Sequence, residues 1–406
     1  MHNKVLQAGA AIADITPPLE VGLLTSSVEG TYAPFTAVRL PLKARILVLV
    51  SGNEKVALVS LDLLALNDTS VDGWDAFKTG MSAEIAPENI ILTCTHTHTA
   101  PESVALSELY LSDEYRKWLY EIQQRIKIAI SAAIHSVKEC YVSIGSTKLD
   151  GYSLQRRIPT ATGITMSDAL QPVTVEMMNR EPVDRRVQAV RFTAVDGRAV
   201  ATIVHAVCHP VHEMCLPHIS PDFPGEMCLA LEETPWAGMP LFLNGAAGDV
   251  NPPTVSGGAE DARRHGRALA GAVQKAVWTT AIATDLAVRH MEMDFPIRSG
   301  VDVSNPLDAL ARINAIAIGP LAILFLPGEP FTATAMEIEY RSPFAYTLVA
   351  AYAENSIGYI PTVEAFDAGG YETGPGRWSF LAPVTAQLLE EAALHLLDQL
   401  YHKKRV

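Results

Sequence analysis

Three apolar runs in this sequence end in residues that bind metals. Residues 89–94 lead into His96, residues 199–208 into His209, and residues 321–326 into Glu329. These endings are spread along most of the chain, so a site built from them requires distant strand ends to meet. The run at 89–94 is short, rich in Ile and bounded by Pro87 and Pro101, which reads as a buried strand. In α/β proteins, metal and catalytic groups gather at the carboxyl ends of strands. His96 and His98 lie two apart, so continued extended backbone sends both imidazoles off one face. A single such ending is weak, because a strand-end histidine bonded to backbone is the ordinary alternative. Together they supply two imidazoles and a carboxylate, the donor set of a hydrolytic zinc site with one position left for water. His205, His209, His212 and His218 crowd one region, and composition does not choose among them. Pro210 argues against a helical His209/His212 pair, and His205 reads as a strand residue facing protein.

The surrounding elements mix without regular βαβ alternation. Hairpins are predicted at 45–50 with 55–61, at 191–194 with 198–208, and at 315–318 with 321–326. A further strand is expected at 346–352. Ser112 caps a helix whose Trp118, Ile122, Ile126, Ala129, Ala133 and Val137 follow at helical spacing, and helices are expected over 259–278 and 384–401. The expected fold is mixed α/β, with helices packed outside stacked sheets. No linker or composition shift divides the chain, so residues 1–406 are expected to form a single catalytic domain without an additional C-terminal domain.

Charge narrows the function classes. A formal net charge of −14 opposes nucleic acid or an anionic membrane surface as partner, since both demand a basic face. The one cationic cluster, His402-Lys-Lys-Arg405, reads as a solvated tail. No stretch reaches the roughly 18 apolar residues of a spanning helix. Residues 1–18 lack an uninterrupted apolar segment of the export type, and a cytoplasmic location is expected. Five cysteines at irregular spacing match neither a disulfide framework nor a zinc-ribbon pattern.

Ala13-Asp-Ile-Thr-Pro17, Thr95-His-Thr-His98, Val207-Cys-His-Pro210, Asn244-Gly-Ala-Ala-Gly-Asp249, Pro327-Gly-Glu329 and Gly358-Tyr359 occur in the order found in the neutral ceramidases. The chain resembles the catalytic domain of that family from residue 8 to about 380. The resemblance implies one zinc ion held by His96, His209, Glu329 and Tyr359, with His98 handling protons. A second family tyrosine lies twelve positions on, as Tyr371 does here, and with Arg157 it is expected to steady the oxyanion of the scissile amide. Without the resemblance, Tyr371 reads as a packing residue beside Gly369-Gly370, and Arg156 and Arg157 as a solvated pair. One position departs from the pattern: Asn251 stands where the family has serine, so no hydroxyl is available there.

The implied activity is zinc-dependent hydrolysis of a carbon–nitrogen bond, and Mn²⁺ or Fe²⁺ can occupy the same donors. The expected substrate is a small soluble N-acyl or linear amide rather than ceramide. The compact polar segments 153–157 and 367–371 suit a modest pocket, and no amphipathic helix with a basic face is evident. The alternatives are an esterase or lactonase on the same scaffold, a true ceramidase, and a non-catalytic metal-binding protein. The sequence gives no oligomeric state.

Overall fold

Period-two burial builds two sheets that share an interior. In the strand Lys43–Ser51, Ala44, Ile46 and Val48 face one core while Leu47 and Leu49 face another. The computed structural model describes residues 5–24, 32–282 and 284–403. The start of the chain, residues 1–4, and the tail residues Lys404, Arg405 and Val406 lie outside the described residues. Strands of five or more residues are numbered in chain order. They are β1 Gln7–Asp14, β2 Lys43–Ser51, β3 Glu54–Leu61, β4 Ile90–Cys94, β5 Lys138–Lys148, β6 Arg186–Ala194, β7 Ala199–Ala206 and β8 Met239–Asn244 in the first sheet. The second sheet holds β9 Leu286–Asp294, β10 Leu310–Ile318, β11 Leu321–Phe325 and β12 Tyr346–Ala350.

The first sheet runs in the order β8-β7-β6-β5-β1-β2-β3-β4, and the second in the order β9-β10-β11-β12. Most neighbours are antiparallel. The pairs β3/β4, β7/β8 and β11/β12 are parallel, so in each pair two carboxyl ends emerge at the same edge. The first sheet also curls: Ser60 Oγ on β3 donates to the Phe242 carbonyl on β8 at 2.7 Å, although five strands separate them in the sheet order. Leu47, Leu49, Val56 and Leu58 of the first sheet pack on Val288, Ile316, Ile323 and Phe325 of the second. Helices cover both outer faces. Asp113–His135 lies on β1 and β2, and Asp222–Glu232 with Ala259–Gln274 lies on β5 to β8; Thr385–Lys403 lies on β9 to β11. The result is a mixed α/β sandwich with helices outside stacked sheets, as expected. Among the described residues, no helix is long and apolar enough to cross a membrane.

Local signals placed several boundaries. Ser112 Oγ accepts from the Tyr115 N–H at 3.2 Å and starts the expected helix. The helix expected to reach Trp278 stops at Gln274 instead. Val277–Trp278 joins β5, where the Trp278 ring fills the space over Gly145 and the Arg191 guanidinium lies 4.7 Å from the ring centre. That contact outweighs helical propensity over one turn.

Two buried histidines knit the helix Ala259–Gln274 to the sheet. His265 stacks on Phe223 at 4.0 Å, and its Nδ1 lies 3.1 Å from His212 Nε2. His212 Nδ1 meets Thr254 Oγ1 at 2.8 Å. Burial pushes His212 down to about 4 from its usual 6.5. Between those values the unfolded chain takes up a proton that the folded chain refuses, so His212 removes stability as pH falls. From pH 7.5 to pH 5 that loss is about 2 kcal/mol, at 1.36 kcal/mol per unit. His212→Asn lacks this titration, so its stability deficit against the wild type should shrink by about that amount over the interval. Urea unfolding of both proteins at the two pH values checks this, and an unchanged deficit would refute it.

Candidate active site

The parallel pairs decide what converges. His96 follows β4, His209 follows β7, Glu329 follows β11 and Tyr359 follows β12. Glu329 and Tyr359 then lie side by side, because Glu329–Pro330 pairs in parallel with Tyr359–Ile360. Extended backbone does not continue through the first histidine, contrary to the sequence reading. His96 has φ 69°, a left-handed conformation uncommon for a residue with a Cβ, held by its N–H on the Leu63 carbonyl at 2.9 Å. This turn, and not strand alternation, brings the His96 and His98 rings together, with centroids 4.9 Å apart and planes at 89°. The Tyr352 ring stacks on His96 at 4.0 Å and fixes it from behind.

His96 Nε2, His209 Nε2 and Glu329 Oε2 lie 3.2 Å from one another in all three pairs. His96 Nδ1 lies 2.7 Å from the Leu64 carbonyl and His209 Nδ1 lies 2.6 Å from the Ala247 carbonyl. A carbonyl only accepts, so each Nδ1 carries the proton and each neutral Nε2 presents a lone pair. The three converging atoms thus have no proton among them, and Glu329 Oε2 has no hydrogen-bond partner among the described residues. Burial, with the charge of Arg156 second, pushes His209 down to about 4. Three mutually repelling donors in a buried spot fit a cation between them. Donors about 2.0–2.1 Å from a tetrahedral zinc ion stand roughly 3.3 Å apart, close to the spacing observed.

His98 sits beside the triangle. A ring nitrogen of each of His96, His98 and His209 falls within 4.8 Å of the others. His98 Nε2 is buried without a hydrogen-bond partner among the described residues, and burial, reinforced by His96 and His209, pushes its pKa well below the usual value. Tyr371 lies edge-on to Tyr359 at 5.8 Å and lines the same cavity.

The arginine at the cluster is Arg156, which corrects the expectation for Arg157. Arg156 Nη2 donates to the Tyr359 hydroxyl at 3.1 Å, and Nη1 donates to Asn251 Oδ1 at 3.3 Å and lies 3.4 Å from His209 Nε2. Arg157 points elsewhere: to Glu372 Oε2, to the Gly369 carbonyl at 2.5 Å and to the Ala365 carbonyl at 3.3 Å. Adjacent residues in extended backbone face opposite ways, so only one of the pair can reach the histidines. Neither is solvated. Glu372, fully buried, accepts from Arg156 Nε at 2.7 Å and from Arg157 as well. Burial opposes the Arg156 charge, but Tyr359 and Glu372 outweigh it and keep its pKa well above the usual value. Asn251 therefore contributes an acceptor for this guanidinium in place of a hydroxyl.

The glycine-rich loop after β8 packs under the cluster. A Cβ on Gly248 would meet the Glu329 carbonyl at 2.5 Å, so only glycine lets that strand end come so close. Asp249 holds the loop, accepting from the Thr332 N–H at 2.8 Å and from Gln155 Nε2 at 2.7 Å. Asn244 Nδ2 donates to the Thr95 carbonyl at 3.3 Å and to the Cys208 carbonyl at 3.1 Å, joining the two histidine-bearing loops. Sequence reasoning assigned no role to Asn244, Asp249, Tyr352 or Glu372. The loop motif marked the first two, while nothing local marked Tyr352 or Glu372.

Two of the solved structures that match this chain do so along nearly its whole length. One is a neutral ceramidase from Pseudomonas aeruginosa, with a TM-score of 0.78 and 16% sequence identity over 99% of this chain and 75% of that one. The other is a ceramidase complexed with C2, at the same TM-score and identity over 99% of this chain and 76% of that one. The fold is ceramidase-like. No protein-family model matches the chain, and no curated protein matches it by sequence.

His96, His98, Glu329, Tyr359 and Tyr371 line a cavity of about 870 Å³, its open mouth included. Leu64, Ala65, Val104, Leu106, Met214 and Phe380 supply apolar walls, and Arg377 and Trp378 stand in the lining as well.

Proposed function

We propose that this chain is a zinc-dependent hydrolase that cleaves the carbon–nitrogen bond of a small soluble amide. One observation carries the reading: two imidazole lone pairs and a carboxylate oxygen lie 3.2 Å apart beside a cavity, with no proton among them. The likeness to structures titled ceramidase supports the amide bond as target. A divalent cation held by His96, His209, Glu329 and Tyr359 would supply positive charge that polarises a carbonyl and lowers the pKa of water to about 7. The two imidazoles and the carboxylate suit zinc, and Mn²⁺ and Fe²⁺ accept the same donors.

The chain's own residues do the rest. His98, neutral and with an unpaired Nε2, accepts a proton from the attacking water and returns it to the leaving nitrogen. Tyr371 donates its phenolic O–H to the carbonyl oxygen as that oxygen gains charge. Arg156 holds the Tyr359 hydroxyl and adds fixed positive charge beside His209, the part expected of Arg157. The apolar walls exclude water from the bond under attack. Residues from both sheets take part, which makes residues 1–406 one catalytic unit in this reading.

The test is a substrate panel for the purified protein: short N-acyl amides, simple esters, lactones and ceramide, each with added Zn²⁺ and with chelator. The expected result is zinc-dependent cleavage of short amides. Ceramide as the best substrate by more than about tenfold, or ~1.4 kcal/mol in transition-state binding, would overturn the choice of a small soluble substrate. A lead of the same size for esters or lactones would overturn the amide.

A further inference from the structure

Arg377 lines the cavity yet has no acidic partner among the described residues. Its Nη1 donates to the Leu106 carbonyl at 3.4 Å, and the side chain is exposed. Arg39, by contrast, is matched by Glu213 and Glu226, and Arg156 by Glu372. The two acids of the cavity do not serve Arg377. Glu329 faces the histidines, and Glu102 is occupied by the Val104 and Ser107 N–H groups and the Ser107 hydroxyl.

The backbone beneath Arg377 is fixed. Gly376 and Ser379 exchange two backbone hydrogen bonds, at 3.1 and 3.0 Å, which leaves Arg377 and Trp378 as the tip of a tight hairpin. A Cβ on Gly376 would meet the Trp378 ring at 2.7 Å, so glycine lets the indole fold back over the turn. There it stacks on Tyr371 at 5.5 Å with planes 8° apart, and Tyr371 in turn abuts Tyr359 at 5.8 Å. Arg377 thus lines the cavity next in sequence to Trp378, whose ring lies two ring contacts from Tyr359, and its guanidinium has no carboxylate partner among the described residues. An arginine fork recognises a carboxylate through two parallel hydrogen bonds.

We propose that Arg377 selects substrates bearing a carboxylate, so that the amide cleaved is an N-acyl amino acid, with its acyl chain on the wall of Leu64, Val104, Leu106 and Phe380. The inference rests on the amide-hydrolase reading of this cavity and adds the chemical class of the amine portion. In a chain of net charge −14, a local cation is what lets an anionic substrate approach.

The test compares three single amides of one acyl length with the zinc-loaded protein: N-hexanoylglycine, the neutral N-hexanoylethanolamine and the cationic N-hexanoylethylenediamine. The expected kcat/KM favours N-hexanoylglycine over the neutral amide at least tenfold, with the preference shrinking as salt is raised. Arg377→Glu should invert the order so that the cationic amide leads, and Arg377→Lys should keep part of the original preference. Dissociation constants for the same three compounds, from calorimetry, separate this inference from the hydrolase reading. Tenfold tighter binding of N-hexanoylglycine that Arg377→Glu reverses, without cleavage of any amide, upholds Arg377 as the carboxylate-selecting residue and defeats the hydrolase reading. Cleavage of all three at equal efficiency, or an order untouched by Arg377→Glu, overturns the inference and leaves the hydrolase reading standing. Absence of both cleavage and preference in binding overturns both.

Discussion

His96→Ala is expected to abolish stoichiometric metal and to lower amide turnover at least about 10³-fold, whereas His98→Ala is expected to keep the metal and lose roughly 10²- to 10⁴-fold in kcat. The contrast follows from where the two rings point. His96 Nε2 is one corner of the 3.2 Å triangle, and its Nδ1 is committed to the Leu64 carbonyl, so the ring has nothing to offer except its lone pair to the centre. Removing it leaves one imidazole, the carboxylate and the Tyr359 phenol, too weak a set for tight binding, and the loss of a Lewis acid costs about 4 kcal/mol or more in barrier height. His98 keeps an unpaired Nε2 at the edge of the same cluster, within reach of a proton in transit. Metal content by mass spectrometry of the purified variants, read beside turnover, checks both. The reverse pattern, with metal lost in His98→Ala and kept in His96→Ala, would exchange the two roles.

Glu372→Gln is expected to destabilise the fold by about 3–5 kcal/mol, the range for breaking a buried ion pair from one side. Glu372 is fully buried and is the carboxylate for two guanidinium groups, each under a tenth exposed. Glutamine preserves the shape but leaves two desolvated cations with one neutral oxygen between them. The effect reaches the site, because the Glu372 bond to Arg156 Nε orients the Nη atoms that hold Tyr359 and Asn251. Chemical unfolding should therefore show a lower midpoint with an unchanged slope. A change below about 1 kcal/mol would mean that the pair is solvated in solution and that Arg156 needs no such anchor.

Much of this architecture was legible in local sequence. The apolar runs before His96, His209 and Glu329 are strands because β-branched and aliphatic residues buried on both faces leave the extended conformation as the simplest way to satisfy the backbone, and each run was bounded by Pro or Gly. Ser112 began its helix because a hydroxyl can accept an otherwise unpaired N–H. Those signals reach only a few residues along the chain. The helix Asp222–Glu232, buried on most sides, lacked the contrast that a periodic pattern needs and was not foreseen, and neither was the strand β5.

Local sequence supplied the donors at strand ends, His96, His209 and Glu329, with His98 two residues on; Tyr359 and Tyr371 were singled out only through the family resemblance, and all six meet at the cluster and its cavity. How they meet was set by packing between distant segments. The curl that brings Ser60 to Phe242, the left-handed turn at His96, the choice of Arg156 over Arg157, and the sharing of Glu372 all depend on contacts between residues far apart in the chain. Two adjacent arginines are chemically the same in sequence. They become different when one side of the strand faces a pair of imidazoles and the other faces Gly369, Ala365 and a buried carboxylate.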